Sequence, residues 1–438
     1  MRRAAGKEHI AGGRRSLRPL VGVLAAMAMA ITGTRISVVA IPWFVLSTTG
    51  SATQTGLVVF CEMTPYVIVK ALTGPVVDRI GPRAVSWSAD VVSTAAVAVV
   101  PLLHVLGLLS FPLLLVLVAV IGAARGPGNL AKEVMVPEAA ERCDVPLERA
   151  TGVSGVIERL ASTVGPAAGG ALVALLGPMA GLVVNAVCFA LGSVIIGLLL
   201  PRGMGRAEAP AAEAGDEPGY WQRFGEGFTF LRREPLLLTL IVMVSITNLL
   251  DAAISSVLIP VWADASGHGP AAIGLLGSAM GAAAVGGSLI ATAVAHRLRR
   301  RATVIIGFLL CGAPRFLVLA FDVPLGAVVA VFAVSGFGAG FINPVLGALL
   351  FERVPRGMRG RVNALGDAAA WAGIPLGGLI AGAAVTGVGL VPALVTGGIA
   401  YFLTTNLAGL RPEWREVDRL RGPRSRSTAS PERAAPRA

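Results

Sequence analysis

Charge is scarce in this sequence: only 14% of its 438 residues are Asp, Glu, Lys or Arg. A water-soluble domain carries about a quarter, so a solvent-facing globule of this length is excluded. Aromatic residues make up 5%, and there are four histidines and four cysteines. Cys61, Cys143, Cys188 and Cys311 show no close ligand spacing, which argues against a metal or redox centre and reads them as core filler. No His/Asp/Glu metal pattern and no nucleophile elbow stands in the apolar segments, so a membrane-embedded enzyme is a poor reading and no cofactor is expected.

What is present is apolar length. Hydrophobic residues make up 55% and the mean hydropathy is +0.75. Apolar runs of about 20 residues, each sufficient to cross a hydrocarbon core of ~30 Å, recur from Leu20 to Leu410. Backbone groups in lipid must be satisfied within their own segment, so these runs are helices. The expected fold is all-α, with twelve membrane helices at about 20–46, 54–74, 84–104, 110–131, 151–176, 180–200, 236–261, 271–295, 302–321, 325–350, 362–386 and 388–409. Arg14, Arg15, Ser16 and Leu17 imitate a twin-arginine signal, but the run behind them continues to about Leu46, too long for a signal core, and reads as the first helix behind a basic flank.

The net charge of +12 sits at helix ends rather than on one folded face, which excludes a nucleic-acid partner. Alternate gaps carry the arginines: Arg79 and Arg83; Arg142 and Arg149; Arg202, Arg206, Arg223, Arg232 and Arg233; Arg297 to Arg301; Arg353 to Arg361. The intervening gaps hold no Lys or Arg. The positive-inside rule makes the arginine-bearing gaps and both termini cytoplasmic, in a bacterial inner membrane.

Five segments follow: a basic tail at 1–19, a six-helix bundle at 20–200, a linker at 201–235, a second six-helix bundle at 236–410 and a basic, disordered tail at 411–438. Within the linker, Trp221, Phe224, Phe228, Phe230 and Leu231 alternate with Arg and Glu as in an interfacial amphipathic helix. The halves echo each other weakly. Gly165-Pro166-Ala167-Ala168-Gly169-Gly170 aligns with Gly373-Ile374-Pro375-Leu376-Gly377-Gly378 at its glycines, as two parallel halves of a transporter would.

The segment Gly74, Asp78, Arg79, Gly81, Arg83 resembles the signature between the second and third helices of the major facilitator superfamily, and the resemblance extends from Leu20 to Leu410. It implies two six-helix bundles with the substrate site at their interface, and a conformational latch in which Asp78 pairs with Arg83. In the bland reading, Arg79 and Arg83 only anchor orientation. Gly74 is expected to admit a close neighbour and Gly81 a tight turn. Gly152, Gly165, Pro166, Gly169 and Gly170 resemble the fifth-helix motif of the antiporter branch, which favours export; close helix packing accounts for them equally. Ile41-Pro42-Trp43, Thr49-Gly50-Ser51, Asp90 and Arg359-Gly360-Arg361-Val362 resemble the macrolide-efflux and enterobactin-exporter-like branch. The fourth-helix arginine motif of proton antiporters is not matched: Arg125 falls too near the arginine-rich end of its span and Asn129 follows.

An ionisable side chain inside a span costs about 2.5–3.5 kcal/mol on insertion scales and needs a partner or a wet cavity. Arg35, Glu62 and Asp251 lie at comparable depths, ~22, ~18 and ~22 Å from the arginine-rich ends of their spans. They are the expected central polar site, with Glu62 or Asp251 carrying a proton. A static Arg35–Glu62 ion pair is the competing reading. Asp90, Glu158 and Asp367 are expected to pair with loop arginines. Trp43 and Asn248 are candidate substrate-lining residues. The reading reached is a monomeric, lipid-embedded secondary transporter that exports a small amphipathic molecule in exchange for protons. Uptake of a small anionic solute, recognised by Arg35, is one alternative; the other, a non-transporting membrane sensor, is a poor reading because it needs a regulatory domain that the short linker at 201–235 does not hold.

Overall fold

The structure is a computed structural model that describes residues 16–204, 220–294, 300–354 and 359–411. Arg14, Arg15, Arg206, Arg297, Arg299, Arg356 and the tail after Arg411, all read above from sequence, lie outside the described residues. Among the described residues, twelve helices are long and apolar enough to cross a membrane. Some spans are single helices and others are broken. In order they are α1 (Arg18–Thr49), α2 (Ala52–Leu72), the short α3 (Gly74–Ile80), α4 (Pro82–Val105), α5 (Phe111–Arg142), α6 (Leu147–Leu176) and α7 (Pro178–Leu199). The amphipathic α8 (Tyr220–Arg233) precedes α9 (Pro235–Ala253), which runs through a π-helical turn (Ile254–Leu258) into α10 (Ile259–Ala265). Then come α11 (Gly269–Val294), α12 (Arg300–Cys311), α13 (Ala313–Ala320), α14 (Leu325–Arg353), α15 (Arg359–Ala372), α16 (Ile374–Val388) and α17 (Leu390–Leu410).

Local chemistry sets the breaks. Gly50 ends α1 at φ 62°, its N–H bonded to Leu46 O at 2.7 Å, and Ser51 starts α2 by accepting from the Gln54 N–H at 3.2 Å. A left-handed C-cap next to an N-cap makes a sharp reversal, so Thr49-Gly50-Ser51 is a helix–helix turn. Gly81, at φ 95°, separates α3 from α4 as expected. α12 and α13 part at Gly312, whose φ of -92° and ψ of -99° leave the helical region, and a β-carbon there would strike the Tyr401 ring.

The described residues fall into two compact units. The first gathers those of Met1–Glu217, Leu249–Gly281 and Trp371–Ala393. Inside it α1 packs on α6 and α7, α4 on α5 and α7, and α5 on α2; α2 also packs on α16. Backbone-close glycines seat two of its contacts. A β-carbon on Gly56 or Gly382 of either helix would strike the other's backbone, and one on Gly170 of α6 would lie 2.8 Å from Gly274 Cα of α11. The second unit gathers those of Pro218–Asn248, Ala282–Ala370 and Leu394–Ala438. In it α12 packs on α14, and Leu231 of α8 is buried against Leu237, Val354 and Val362. That contact gives part of the α8 apolar face to protein.

One boundary differs consequentially from its expectation. The fourth span continues as α5 to Arg142, past the expected end at 131. Hydropathy falls after Leu130, which is why the sequence suggests a stop. The helix instead carries a buried lysine there, and its two internal prolines, Pro127 and Pro137, do not end it.

Candidate functional site

The centre of the first unit is built on a small-residue stripe. Gly122 and Gly126 of α5 are one turn apart. A β-carbon on Gly122 would strike the Glu62 carbonyl of α2, and one on Gly126 would lie 2.9 Å from Tyr66 O and 3.1 Å from Lys70 N. This GxxxG spacing draws the α5 backbone along Glu62, Tyr66 and Lys70, which share one face of α2. Arg125, between the two glycines, then reaches Glu62: Nη1 donates to Oε1 at 2.6 Å, with the side chains 6% and 8% exposed. The guanidinium carbon also lies 4.7 Å from the Tyr66 ring centroid, within range for cation–π attraction.

Around this pair the same face continues. Tyr66 stacks at 6.1 Å on Trp371, and Lys70 Nζ lies 5.0 Å from the Trp371 ring and 3.7 Å from Glu133 Oε1. Cation, carboxylate and aromatic faces therefore adjoin in the middle of the first unit. Such a cluster sets buried charges against aromatic faces, the setting in which cation–π attraction is strongest.

Arg125 is thus the partner of Glu62, which corrects both the Arg35–Glu62 pairing and the placing of Arg125 at the edge of its span. With α5 running to Arg142, Arg125 lies seventeen residues, about 25 Å, from that end. Arg35 is half-buried on α1 and donates from Nη2 to Ser162 Oγ of α6 at 2.9 Å. The expected fifth-helix glycines explain its seat: a β-carbon on Gly165 would lie 2.5 Å from Arg35 Cβ, and one on Gly169 would lie 3.0 Å from Ile36 Cα. Pro166 packs against α11, where a β-carbon on Gly277 would meet its Cβ at 2.9 Å. Gly152 departs from the motif's packing role, since a β-carbon there would meet nothing within 4 Å.

Asp251 is half-buried on α9, shortly before the π turn. Single-turn π segments are frequent at functional sites. Trp43 is half-buried on α1. Asn248, in the second unit, donates from Nδ2 to Ala370 O at 2.9 Å, a helix-to-helix bond that commits its amide.

The Asp78–Arg83 latch is not formed. Asp78 and Arg79 are exposed on α3, while Arg83 donates to Gly197 O of α7 and to the O of its C-cap Leu200, both at 3.0 Å. A cation at the last carbonyls of a helix is favoured by the helix dipole. Gly74 has open space around its Cα rather than a close neighbour. Asp90 pairs with Lys132 of α5, Nζ to Oδ1 at 2.7 Å with both side chains 2% exposed, rather than with a loop arginine. Glu158 is exposed on α6. The residues missed from sequence are therefore Arg125 and Lys132. The signal for the first was Gly122-Ala-Ala-Arg125-Gly126, a charge inside a small-xxx-small stripe. The signal for the second was rarity, since Lys132 is one of three lysines in the chain.

Among the described residues, twelve apolar helices with buried paired charges define a polytopic membrane protein, and its relatives make it a transporter. A crystal structure of a mutant of the nucleoside transporter NupG shares the fold, with a TM-score of 0.72 over 92% of this chain and 100% of that one, at 12% identity. The chain belongs to the major facilitator superfamily: the family described as transmembrane secretion effector matches residues 20–434. A relative named multidrug efflux pump Tap in Mycobacterium tuberculosis is 32% identical over 403 residues, 91% of this chain and 95% of that one. A protein of the same name in Mycolicibacterium fortuitum is 30% identical over 412 residues, 91% and 97%.

Proposed function

We propose that this chain exports small amphipathic molecules, drugs among them, from the cell in exchange for protons, by alternating access of two six-helix halves (20–200 and 236–410) joined by the linker at 201–235. The observation that carries the reading is the buried Glu62–Arg125 pair beside Tyr66 and Trp371. A carboxylate held only by an arginine can take a proton when a cationic or aromatic substrate displaces that arginine, and can release it when the arginine returns. Efflux of drugs is supported by the names of the full-length relatives. Asp251 is the second carboxylate of the scheme, and Arg35, braced by Ser162, is a fixed positive charge beside the small-residue helix.

Arginines at alternate helix ends favour a cytoplasmic location for both termini, in the inner membrane, with the monomer as the working unit in lipid. The test is accumulation of fluorescent amphipathic dyes and macrolides in cells that express the chain. Lower accumulation, reversed by a protonophore and by Glu62→Gln, supports the reading. Accumulation that rises with expression favours uptake instead.

A further inference from the structure

The ion pair between Asp90 and Lys132 lies outside the site just described. Asp90 has committed Oδ1 to Lys132, but its other oxygen, Oδ2, is buried without a hydrogen-bond partner. That oxygen faces α7, where a β-carbon on Gly192 would lie 3.1 Å from it and 3.9 Å from Ala26 O of α1. It is not alone. Ser86 and Ser93, 0% and 1% exposed, share a face of α4 with Asp90, and both hydroxyls are buried without partners. Asn185 stands seven residues from Gly192 along α7, 1% exposed, with Oδ1 unpartnered. A β-carbon on Gly33 of α1 would lie 2.5 Å from that oxygen. One turn further along α1, Ser37 is 3% exposed and its hydroxyl is again unpartnered.

These five groups line the seam between α1, α4 and α7 over about 20 Å, from Ser86 towards the arginine-poor ends of the helices. Buried polar atoms are almost always satisfied, by protein or by ordered water, and a polar seam of this kind suits a file of waters each bonded to two or more of its groups. Replacing a buried ion pair by apolar residues is often neutral for stability, so stability alone is a weak reason for this pair. Gly192 leaves the space at Oδ2 that a larger residue would fill.

We propose that the α1–α4–α7 seam carries a file of water and that Asp90 is a proton-exchange site opening onto it, separate from Glu62–Arg125. The proton adds to Asp90 Oδ2, the carboxylate loses its charge, and Lys132 keeps its own protons with Gly128 O as its remaining acceptor at 3.5 Å. From α5 the charged group facing Asp90 is Lys132. From α7 and α1 the facing groups, Gly192, Asn185 and Ala26 O, are uncharged, and along α4 the nearest charge on the same face is Arg83, about two turns away. A role for this site in coupling rests on the proton-exchange reading above; the hydrated seam and the titration of Asp90 do not.

Infrared difference spectra of the reconstituted full chain, recorded on acidification in light and heavy water, test it. The expected result is a carbonyl band of a protonated carboxylic acid that persists in Glu62→Gln, disappears in Asp90→Asn and shifts promptly in heavy water. Because Asp90→Asn strands Lys132, the Asp90→Asn/Lys132→Gln double variant provides the same assignment in a charge-balanced protein. Replacing the seam's polar groups with Ser93→Val and Asn185→Leu should slow the heavy-water shift by roughly tenfold or more. A band unaffected by loss of Asp90, no band at all, or a shift equally fast in the seam variant would overturn the proposal. Transport without proton coupling, with the Asp90 band intact, would count against the coupling scheme while upholding the seam.

Discussion

Replacing Arg125 by Met removes the cation from a carboxylate it meets at 2.6 Å, in a pair whose side chains are 6% and 8% exposed. Breaking a buried pair on one side costs about 3–5 kcal/mol, because the surviving charge is left without compensation. The lost stacking on Tyr66 adds about 0.5–2 kcal/mol. Relaxation and water entry around the vacated site hold the sum to the lower end of the first range. A loss near 3 kcal/mol corresponds to roughly a hundredfold in the unfolding equilibrium. Glu62→Gln with Arg125→Met should recover much of that loss, because the remaining groups are neutral and of similar size, leaving a coupling energy of about 1–3 kcal/mol. Equilibrium unfolding of the purified chain in mixed detergent micelles reads all four corners of the cycle. Raising the salt should scarcely change the coupling, unlike that of Arg142–Glu138, a pair 45% and 29% exposed. Arg125→Met within about 0.5 kcal/mol of the parent, with no coupling beyond the additivity error, would refute the reasoning.

Gly122→Ala places a methyl group on the Glu62 carbonyl. It should force α2 and α5 apart at a cost of about 1–3 kcal/mol, seen as a lower midpoint in the same unfolding assay. Gly81→Ala puts a side chain at φ 95° and should cost about 1–3 kcal/mol with the transport rate per folded molecule unchanged, measured as stability and dye efflux together. Gly165→Val drives a methyl into Arg35 Cβ and detaches Arg35 from Ser162. Efflux should fall at least several-fold while Ser162→Ala alone gives a smaller but measurable loss; full efflux by Ser162→Ala would show that packing rather than the bracing of Arg35 matters.

The span count is legible in the sequence because lipid leaves the chain few options: apolar length and arginine at alternate helix ends show directly in residues such as Arg79, Arg149 and Arg353. The seats of glycine are legible only where conformation demands them, as at Gly81. Packing glycines depend on which helix arrives opposite. Gly165 and Gly169 of the fifth-helix motif face α1, Gly152 of the same motif faces open space, and Gly122 and Gly126, outside any motif read from sequence, hold the central pair. Charge partners are the least legible. Depth along a helix can be counted from sequence, but rotation and the neighbouring helix cannot, so matching by depth gives Glu62 to Arg35 where the α2–α5 contact delivers Arg125. Asp90 goes to loop arginines only if the fourth span stops before Lys132, and α5 does not stop there. The latch fails for a related reason: Arg83 finds carbonyls at the end of α7 nearer than a carboxylate.

The central claim is that a proton taken up at Glu62 drives export. Proteoliposomes containing the chain, loaded with a transported dye and given a pH gradient, test it most directly when the parent is compared with Glu62→Gln. The account predicts gradient-driven dye movement by the parent, and by Glu62→Gln only movement down the dye's own gradient, with dye binding retained. Full gradient-driven transport by Glu62→Gln would contradict it.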